Sequence, residues 1–378
     1  MKVTYIANST IPSRSASSVH VMKMCQAFAR DGHDVTLLAS QEPADLEPGV
    51  GNAHAFYGVD EIFALRGIPL GRHRGRGWAY SWRCLRAARG LRTDLVYSRY
   101  LPASVFAALR GYPTVLELHG LRLTRSAEDR LLLRTLRRLP ALRRVVVISR
   151  QLKADLLSAV DFDADKVVVA HDGADQVVGH SRPPEMRREP SRMQVGYVGH
   201  LYPGRGTELI REMAERLPDL DFHVVGGRPA DVERMRRAAT LPKNLDVHGF
   251  MPYRAAEAFR VHCDVLIAPY QDAVATLGAR TDTSPWMSPL KIFEYMAAGK
   301  AIVCSDIPVL REVLEHRRTA LLAPPDDLAA WVSALACLAR EGDLRQRLGA
   351  AALQEFRDKY TWQGRARAVL EGVLERVA

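Results

Sequence analysis

Short apolar runs rich in β-branched residues alternate with stretches of helical periodicity along most of the chain. In the first half six such runs predict strands: Lys2–Ala7, Asp34–Ala39, Asp94–Ser98, Thr114–Leu118, Arg144–Ser149 and Lys166–Ala170. Continuous apolar strands interleaved with helices are typical of a parallel sheet that is covered on both faces. The first half therefore predicts an α/β domain with a doubly wound sheet.

The alternation stops at residues 179–192, which contain three prolines, many charges and no periodicity, as is typical of an interdomain linker. Six further runs follow: Met193–Gly199, Asp221–Gly227, Leu245–Gly249, Asp264–Tyr270, Ala301–Ser305 and Ala320–Pro324. We therefore predict two doubly wound, Rossmann-like domains, residues 1–178 and 193–360. Ligands of such sheets bind beyond the carboxyl ends of the strands, so two facing sheets would form a cleft.

The composition is that of a globular protein without a membrane segment. Of 378 residues, 47% are hydrophobic and 25% are charged. No apolar stretch approaches the roughly 20 residues that span a bilayer, and the first residues lack the body of a signal peptide. The five cysteines are scattered and form no C-x-x-C pair, which indicates buried thiols. We expect a cytoplasmic protein.

The net charge of +10 favours an acidic partner, which could be nucleic acid, a membrane surface or a phosphorylated small molecule. Arginines are dense in two regions. The first, Arg66–Trp78, is predicted to be a flexible loop that meets an anionic acceptor. The second, Glu128–Arg144, predicts a helix whose basic face is either solvated or turned towards a membrane, and the pattern leaves both interpretations open.

One lysine stands where a helix disfavours a cation. Ser288 is a typical N-cap and Pro289 suits the first helical position, so a helix is predicted here, with Gly299 as its stop. Lys291 then lies in the first turn, where the unpaired N–H groups carry about half a positive charge. Either an anionic ligand shares this position, or Lys291 forms an exposed pair with Glu294 at i, i+3.

Two strand-to-helix loops have the small residues that let a backbone approach a phosphate. The small residues of the loop Asn8–Val21 are Ser15, Ala16, Ser17 and Ser18. The loop Val198–Gly206 contains Gly199, His200, Gly204, Arg205 and Gly206. Neither is a G-x-G-x-x-G fingerprint, and a plain small-residue turn is the alternative in the first case.

His119 and a group of aspartates are the remaining candidates. His119 follows an apolar strand at its carboxyl end, where a doubly wound sheet places its ligands, although a structural histidine is the alternative. The aspartates 161, 163 and 165 resemble an Asp-x-Asp metal motif, but they lie between a helix and a strand, where turn aspartates are expected. We predict no metal site.

Several motifs in their order along the chain resemble those of family-four retaining glycosyltransferases of the GT-B architecture. They are "VGHLYPGRGTELI", "VVGGRPADVERM", "VHGFMPYRAAEAF", "DVLIAPY" and above all "SPLKIFEYMAAGKAIVCSDIPVLREVL". Each motif is weak alone, but their order and spacing are specific. Residues 361–378 resemble the closing helix of the family, which crosses back to the first domain, so the resemblance covers nearly the whole chain.

The resemblance implies a role for each matching position. Glu294 would grip the ribose diol, Arg205 would take the place of a phosphate-binding lysine, and His119 would contact the donor sugar. Lys291 would then face the diphosphate. The remaining donor-site positions are Ala16, Ser17, His200, Gly249, Phe250, Met251, Ser288, Pro289 and Leu290. Trp286 departs from the pattern, because it stands where the family has the first glutamate of Glu-x7-Glu; Asp282 is a candidate substitute.

The implied reaction is transfer of a sugar from a nucleotide-diphosphate-sugar donor to a hydroxyl acceptor with retention of configuration. His119, Arg205 and Glu294 are the candidate catalytic residues, and neither a metal nor a separate cofactor is implied. The acceptor would be a sugar, a glycolipid or a polysaccharide intermediate in the synthesis of polysaccharide, lipopolysaccharide or a related glycoconjugate, with peripheral contact at the inner face of the membrane as an open expectation. Two alternatives remain: a nucleotide-sugar epimerase of the same architecture, and a non-catalytic protein that binds nucleotides or nucleic acid.

Overall fold

In a computed structural model the chain forms two compact units. Unit 1 combines Met1–Asp172 with the segment from Trp362 onward, and unit 2 is Gly173–Thr361. The structure describes residues 1–42, 46–71, 75–121, 127–177, 186, 191–237, 241–271 and 284–373. The predicted boundary at residue 178 thus lies within unit 2, and most of the predicted linker 179–192 lies outside the described residues.

The first part of unit 1 is a parallel sheet with its helices. The strands are β1 (Lys2–Thr10), β2 (Asp34–Ser40), β3 (Ala64–Ile68), β4 (Leu95–Ser98), β5 (Thr114–Leu118), β6 (Leu142–Val147) and β7 (Val167–Val169). The helices are α1 (Ala16–Arg30), α2 (Ala53–Tyr57), α3 (Arg76–Leu91), α4 (Leu101–Leu109), α5 (Ala127–Leu136) and α6 (Arg150–Ala159). The seven strands lie in the order β3-β2-β1-β4-β5-β6-β7 and every neighbouring pair is parallel. All six predicted strands are confirmed.

The two arginine-dense regions differ from their predictions. Residues of Arg66–Trp78 form the ends of β3 and α3 instead of one flexible loop, and residues 72–74 lie outside the described residues. Strand β3 lies at the sheet edge without a buried residue, so it has no apolar run that sequence could show. Helix α5 is shorter than the predicted Glu128–Arg144, because the chain turns at Pro140 into β6. Its leucines 132, 133 and 136 are buried, which favours the solvated interpretation of its basic face.

Unit 2 repeats the architecture. Its strands are β8 (Gln194–Val198), β9 (Asp221–Val225), β10 (Leu245–Gly249), β11 (Val265–Ala268), β12 (Ala301–Ser305) and β13 (Leu321–Ala323). Its helices are α7 (Thr207–Arg216), α8 (Pro229–Arg237), α9 (Tyr253–His262), α10 (Leu290–Ala297), α11 (Leu328–Arg340) and α12 (Gly342–Lys359). The parallel sheet has the order β10-β9-β8-β11-β12-β13. The prediction of two doubly wound α/β sheets is confirmed.

The last described helix returns to unit 1. This helix, α13 (Trp362–Leu370), contacts α1 and buries Trp362, Arg365 and Val369 among its residues. Among the residues that the structure describes, no helix combines the length and the apolar character needed to cross a bilayer.

Candidate functional site

The strand order of unit 2 reverses between β8 and β11, which is where a doubly wound sheet binds its ligand. The loops after these two strands lie against each other, since the N–H of Gln271 donates to the carbonyl of Gly204 over 3.0 Å. Gly206 has a φ of +74°, and a Cβ there would lie 2.0 Å from the carbonyl oxygen of Pro269. The glycine-rich loop Val198–Gly206 is therefore a tight strand-to-helix turn that leads into α7, as predicted.

Helix α10 begins one residue later than predicted. Pro289 occupies the N-cap with a ψ of 118°, so its backbone is extended and the helix starts at Leu290. Ser288 is therefore not the N-cap. Lys291 still lies in the first turn, which contains no acidic residue, and the helix stops before Gly299, whose φ is +65°. The expectation of a cation at a helix N-terminus is confirmed.

Lys291 forms no ion pair with Glu294, and its ammonium lies against two tyrosine rings. Its Nζ lies 3.9 Å from the ring centroid of Tyr197 and 5.0 Å from that of Tyr270. A Cβ on Gly199 would lie 2.6 Å from the same Nζ, so a larger residue there would displace the ammonium from this position. Burial, and then the positive charge of Arg205, hold the pKa of Lys291 well below its usual range. The exposed Lys–Glu pair is therefore not what the structure shows.

Arg205 is the second cation of this group. Its guanidinium lies 5.2 Å from the ring centroid of Tyr270, and its Nε is buried with no hydrogen-bond partner among the described residues. Within the described part of the chain, neither Arg205 nor Lys291 forms an ion pair with a carboxylate. We call Lys291, Arg205, Tyr197 and Tyr270 the cation cluster. It brings two cationic side chains together without an ion pair to any described carboxylate.

Glu294 also lies on α10, but its carboxylate contacts an arginine of a different helix. Its Oε2 is 3.2 Å from Nη1 of Arg260 on α9, and Arg260 is buried. The ring of Tyr253 lies 5.9 Å from that guanidinium, and the Tyr253 hydroxyl donates to Asp175. Oε1 of Glu294 makes no hydrogen bond to a described residue. Glu294 is thus a partly exposed carboxylate that a buried arginine holds by one oxygen.

The remaining donor-site candidates of unit 2 occupy loops and helix ends. Gly249 ends β10, Phe250 is 42% exposed, and Met251 packs on the core that includes α10. Ser288 is buried, whereas Pro289 and Leu290 are partly exposed. The ring of His200 stacks on Tyr202 at 4.7 Å.

Trp286 belongs to a short 3-10 helix before α10 and is partly buried. Asp282, the candidate substitute for the glutamate that Trp286 replaces, lies outside the described residues.

In unit 1, the small-residue loop after β1 forms the start of a helix as predicted. Helix α1 begins at Ala16, and the N-cap Ser15 accepts a hydrogen bond from the N–H of Ser18. Arg99, which follows β4, donates from Nη1 to the carbonyl of Ser17 over 3.2 Å.

His119 lies just beyond β5 and faces Glu117. Its Nε2 is hydrogen-bonded to Oε1 of Glu117, while 22% of its side chain stays exposed. Burial, and then the positive charge of Arg99, lower the pKa of His119 to about 4. His119 is therefore a neutral imidazole at neutral pH.

Glu117 is the centre of a buried polar group that we call the carboxylate network. Nε2 of His20 lies 2.7 Å and Nη2 of Arg365 lies 3.2 Å from its Oε1. The Tyr97 hydroxyl donates to its Oε2. Burial alone would raise the pKa of Glu117, but Arg365 and then His20 outweigh it and hold this pKa well below its usual range.

Metal-ligand chemistry is present in this network and not in the aspartate motif. Ligand atoms of His20, Glu117 and His119 lie within 4.8 Å of one another. His119 is hydrogen-bonded to Glu117, Nε2 of His20 lies 2.7 Å from the same oxygen, and the guanidinium of Arg365 adds a positive charge beside it. Asp161 is exposed and pairs with Arg137, and Asp163 caps a short 3-10 helix by accepting from the N–H of Asp165.

Sequence reasoning missed the residues that surround the predicted ones. The tyrosines 197 and 270 had a weak signal, since both lie at strand ends beside the switch point. Arg260 is one of many helical arginines, and nothing near it in sequence points to Glu294. The same holds for Arg99 and for Arg365, which lies 248 positions from Glu117.

Comparisons with known families match both units. Residues 17–178 match the model described as Glycosyltransferase Family 4, and residues 192–341 match that described as Glycosyl transferases group 1. Together with the two Rossmann-like sheets, these matches show that the chain belongs to the family-four glycosyltransferases of the GT-B architecture.

Particular relatives are more distant. A D-inositol 3-phosphate glycosyltransferase of Corynebacterium efficiens is 25% identical over 234 residues. The match covers 56% of this chain and 52% of that relative, so the chain spans about half of the relative's length. The protein of the same name from Corynebacterium urealyticum is 25% identical, and the match covers 98% of this chain and 95% of that protein. The fold is similar to that of Anabaena HepE in complex with UDP and glucose, with a TM-score of 0.71, 15% identity and 99% and 100% coverage.

Proposed function

We propose that the protein transfers a sugar from a nucleotide-diphosphate-sugar donor to a hydroxyl acceptor with retention of anomeric configuration. The observation that carries the proposal is the cation cluster of unit 2. Two cations lie together at the switch point of a doubly wound sheet, one of them in the first turn of α10. A diphosphate would supply the negative charge that no described carboxylate provides.

The electrostatics of the cation cluster favour a diphosphate over a neutral ligand. The ammonium of Lys291 is partly removed from water and lies next to a guanidinium, and both effects oppose its charged form. An anion within hydrogen-bond distance reverses both, and charge-assisted contacts are about twice as strong as neutral ones. The N–H groups at the start of α10 add their partial positive charge. The crystallised complexes of HepE with UDP and with UDP-glucose are consistent with this interpretation.

The rest of the donor would use Glu294 and His119. A carboxylate oxygen can accept hydrogen bonds from both ribose hydroxyls, and Arg260 fixes the other oxygen of Glu294. His119 would contact the donor sugar. The segment from Gly249 to Met251 would lie beside the base.

The reaction would need neither a metal nor a protein nucleophile. Arg205, Lys291 and the helix N-terminus would stabilise the charge that develops on the leaving diphosphate. The acceptor hydroxyl would attack on the face that the diphosphate leaves, and the leaving phosphate oxygen would take its proton. The acceptor class that we propose is a sugar, a glycolipid or a polysaccharide intermediate.

A peripheral membrane contact is proposed for α3 in place of α5. Residues 62–93 contain eight arginines and no acidic residue. Trp78 is 37% and Trp82 52% exposed on α3, and the guanidinium of Arg86 lies 5.8 Å from the Trp82 ring. Exposed tryptophans beside arginines suit the headgroup region of an anionic bilayer.

Sedimentation with phosphatidylglycerol vesicles tests this contact. We expect Arg86→Glu and Trp82→Ser to lower binding. The matched controls are Arg237→Glu and Ile62→Ser, whose side chains are also exposed. Equal losses in variants and controls would contradict a contact through α3.

A donor screen tests the function itself. Nucleotide sugars are ranked by thermal shift and by slow hydrolysis, and the product anomer is read by NMR with a sugar acceptor. We expect one nucleotide to stabilise the protein through its diphosphate. Conversion of the donor without an acceptor would instead support the epimerase alternative, and salt-sensitive binding of nucleic acid without turnover would support the non-catalytic one.

A further inference from the structure

Glu117 is an ionised carboxylate that can only accept hydrogen bonds. It is 1% exposed; Arg365, Tyr97 and His119 form hydrogen bonds to its two oxygens, and Nε2 of His20 lies 2.7 Å from one of them. The arginine can never be an acceptor, and the carboxylate has no proton to offer while that cation stays beside it. Glu117 is therefore the acceptor in each of its hydrogen bonds.

This direction fixes the tautomer of His119. Because Nε2 of His119 meets Oε1 of Glu117, Nε2 must carry the proton. A neutral imidazole has one protonated nitrogen, so Nδ1 is then a bare acceptor. Among the described residues, none forms a hydrogen bond to Nδ1, and the exposed part of the side chain leaves it open to a ligand.

We propose that Glu117 is a positioning residue that holds His119 as the Nε2–H tautomer, so that His119 accepts a hydrogen bond from a hydroxyl group of the sugar substrate. The proposal rests on the proposed function for the identity of the ligand, but the tautomer itself does not. Its chemical consequence is a requirement for a donor on the ligand. A hydroxyl meets that requirement, whereas fluorine or hydrogen at the same carbon does not.

The carboxylate network explains why Glu117 alone can hold the tautomer of His119. Arg365 approaches both oxygens of Glu117, at 3.2 and 3.5 Å, and Tyr97 binds the oxygen that is farther from His119. These contacts keep the carboxylate ionised and stop it from rotating. The imidazole of His20 packs edge-on against that of His119 at 4.7 Å between centroids, which fixes the ring plane.

Nitrogen-15 NMR of the ligand-free, histidine-labelled protein tests the tautomer. The chain has 12 histidines, so the signals of His119 are assigned by their loss in His119→Gln. We expect an unprotonated Nδ1 and a protonated Nε2 at pH 7.5. A protonated Nδ1 in the native protein would overturn the proposal, and this measurement needs no variant of Glu117.

Two variants separate positioning from packing. Glu117→Gln offers an amide N–H beside His119 and should populate the Nδ1–H tautomer. Tyr97→Phe disturbs the same carboxylate on its other oxygen and should leave the tautomer unchanged. An unchanged tautomer in folded Glu117→Gln would overturn the role of Glu117.

Kinetics with a series of deoxy and fluoro donor sugars connects the tautomer to the substrate. At one position of the sugar we expect kcat/KM to fall about tenfold in the native protein when the hydroxyl becomes fluorine. This ratio of kcat/KM values, hydroxyl over fluorine, should shrink to about twofold in Glu117→Gln and stay about tenfold in Tyr97→Phe. A ratio that stays the same in both variants would contradict the hydrogen bond. A protein that turns over no donor would overturn the proposed function alone, because the NMR result would still decide the tautomer.

Discussion

Each unit holds a group of charged side chains beside its parallel sheet, fully buried in unit 1 and partly buried in unit 2, and the two groups are balanced in opposite ways. In the carboxylate network of unit 1, Arg365 neutralises Glu117 over 3.2 Å, and His20 lies 2.7 Å from the same oxygen. In the cation cluster of unit 2, burial and then the charge of Arg205 lower the pKa of Lys291, and no described carboxylate forms an ion pair with either cation.

The difference separates charges that serve the fold from charges that await a ligand. A buried pair is strongly destabilised when one partner is removed, because the other remains as an unpaired charge. A buried cation without a partner already bears that penalty, so its removal relieves the protein. Removing a cation should therefore lower the free energy of unfolding in the carboxylate network and leave it unchanged or raise it in the cation cluster.

The largest expected effect is on unit 1. Arg365→Met should lower the free energy of unfolding by about 3–5 kcal/mol, because Glu117 would stay buried without its cation. The pKa of Glu117 would then rise, so the deficit should grow as the pH increases above the pKa of the unfolded glutamate and shrink towards acid. Denaturant melts across pH measure this. Arg367→Met on the same helix removes an exposed arginine and should change stability by about 0–1 kcal/mol.

The next effect concerns Lys291 and has two parts. Lys291→Met should leave the ligand-free protein as stable as before or more stable, and it should weaken diphosphate binding by about 1.5–3 kcal/mol. A nucleoside without phosphates should bind both proteins alike in calorimetry. Lys359→Met, which removes an exposed lysine of unit 2, is the control. Loss of stability together with unchanged diphosphate affinity would show that Lys291 serves the fold.

Replacing Glu294 should affect both ligand binding and stability, because Glu294 is paired with Arg260 and is also proposed to bind the ligand. We expect Glu294→Gln to weaken nucleotide binding by about 1.5–3 kcal/mol through its hydroxyl contacts, and also to lower stability because Arg260 loses its charge partner. Comparing a ribonucleotide with its dideoxy analogue isolates the first part. Unchanged discrimination between these two nucleotides would leave Glu294 with a structural role alone.

His119 should affect turnover more than binding. His119→Ala removes a single neutral hydrogen bond to the sugar, so we expect kcat to fall about tenfold while nucleotide affinity stays within about twofold. Steady-state kinetics and calorimetry measure the two quantities. An equal fall in nucleotide affinity would show that the sugar contact is wrongly assigned.

The smallest expected effect is that of a chelator. If Arg205 and Lys291 stabilise the leaving diphosphate, excess EDTA should change the rate by less than about twofold. Loss of activity that magnesium or manganese restores would contradict the role of the cation cluster.

Patterns that are local in sequence predicted most of this molecule. The apolar runs predicted both sheets, and the glycines after β8 predicted the turn that admits Lys291. The first-turn position of Lys291 was predicted as well, although Pro289 proved too extended to open the helix. Each of these features depends on a few consecutive residues.

The partners within each cluster could not be predicted in this way. Glu294 and Arg260 lie on different helices, and Glu117 and Arg365 are 248 positions apart. Arginines are so frequent in this chain that none is marked by its residue type. Only the folded topology decides which arginine neutralises which carboxylate.

The return of α13 to unit 1 sets an order for folding during synthesis. Unit 2 is one continuous segment, Gly173–Thr361, whereas unit 1 needs residues from both sides of it. The ribosome releases Glu117 long before Arg365, and until then the glutamate has no guanidinium to neutralise it. Domains fold as units once their residues are present, so the unit that is made second should reach its native state first.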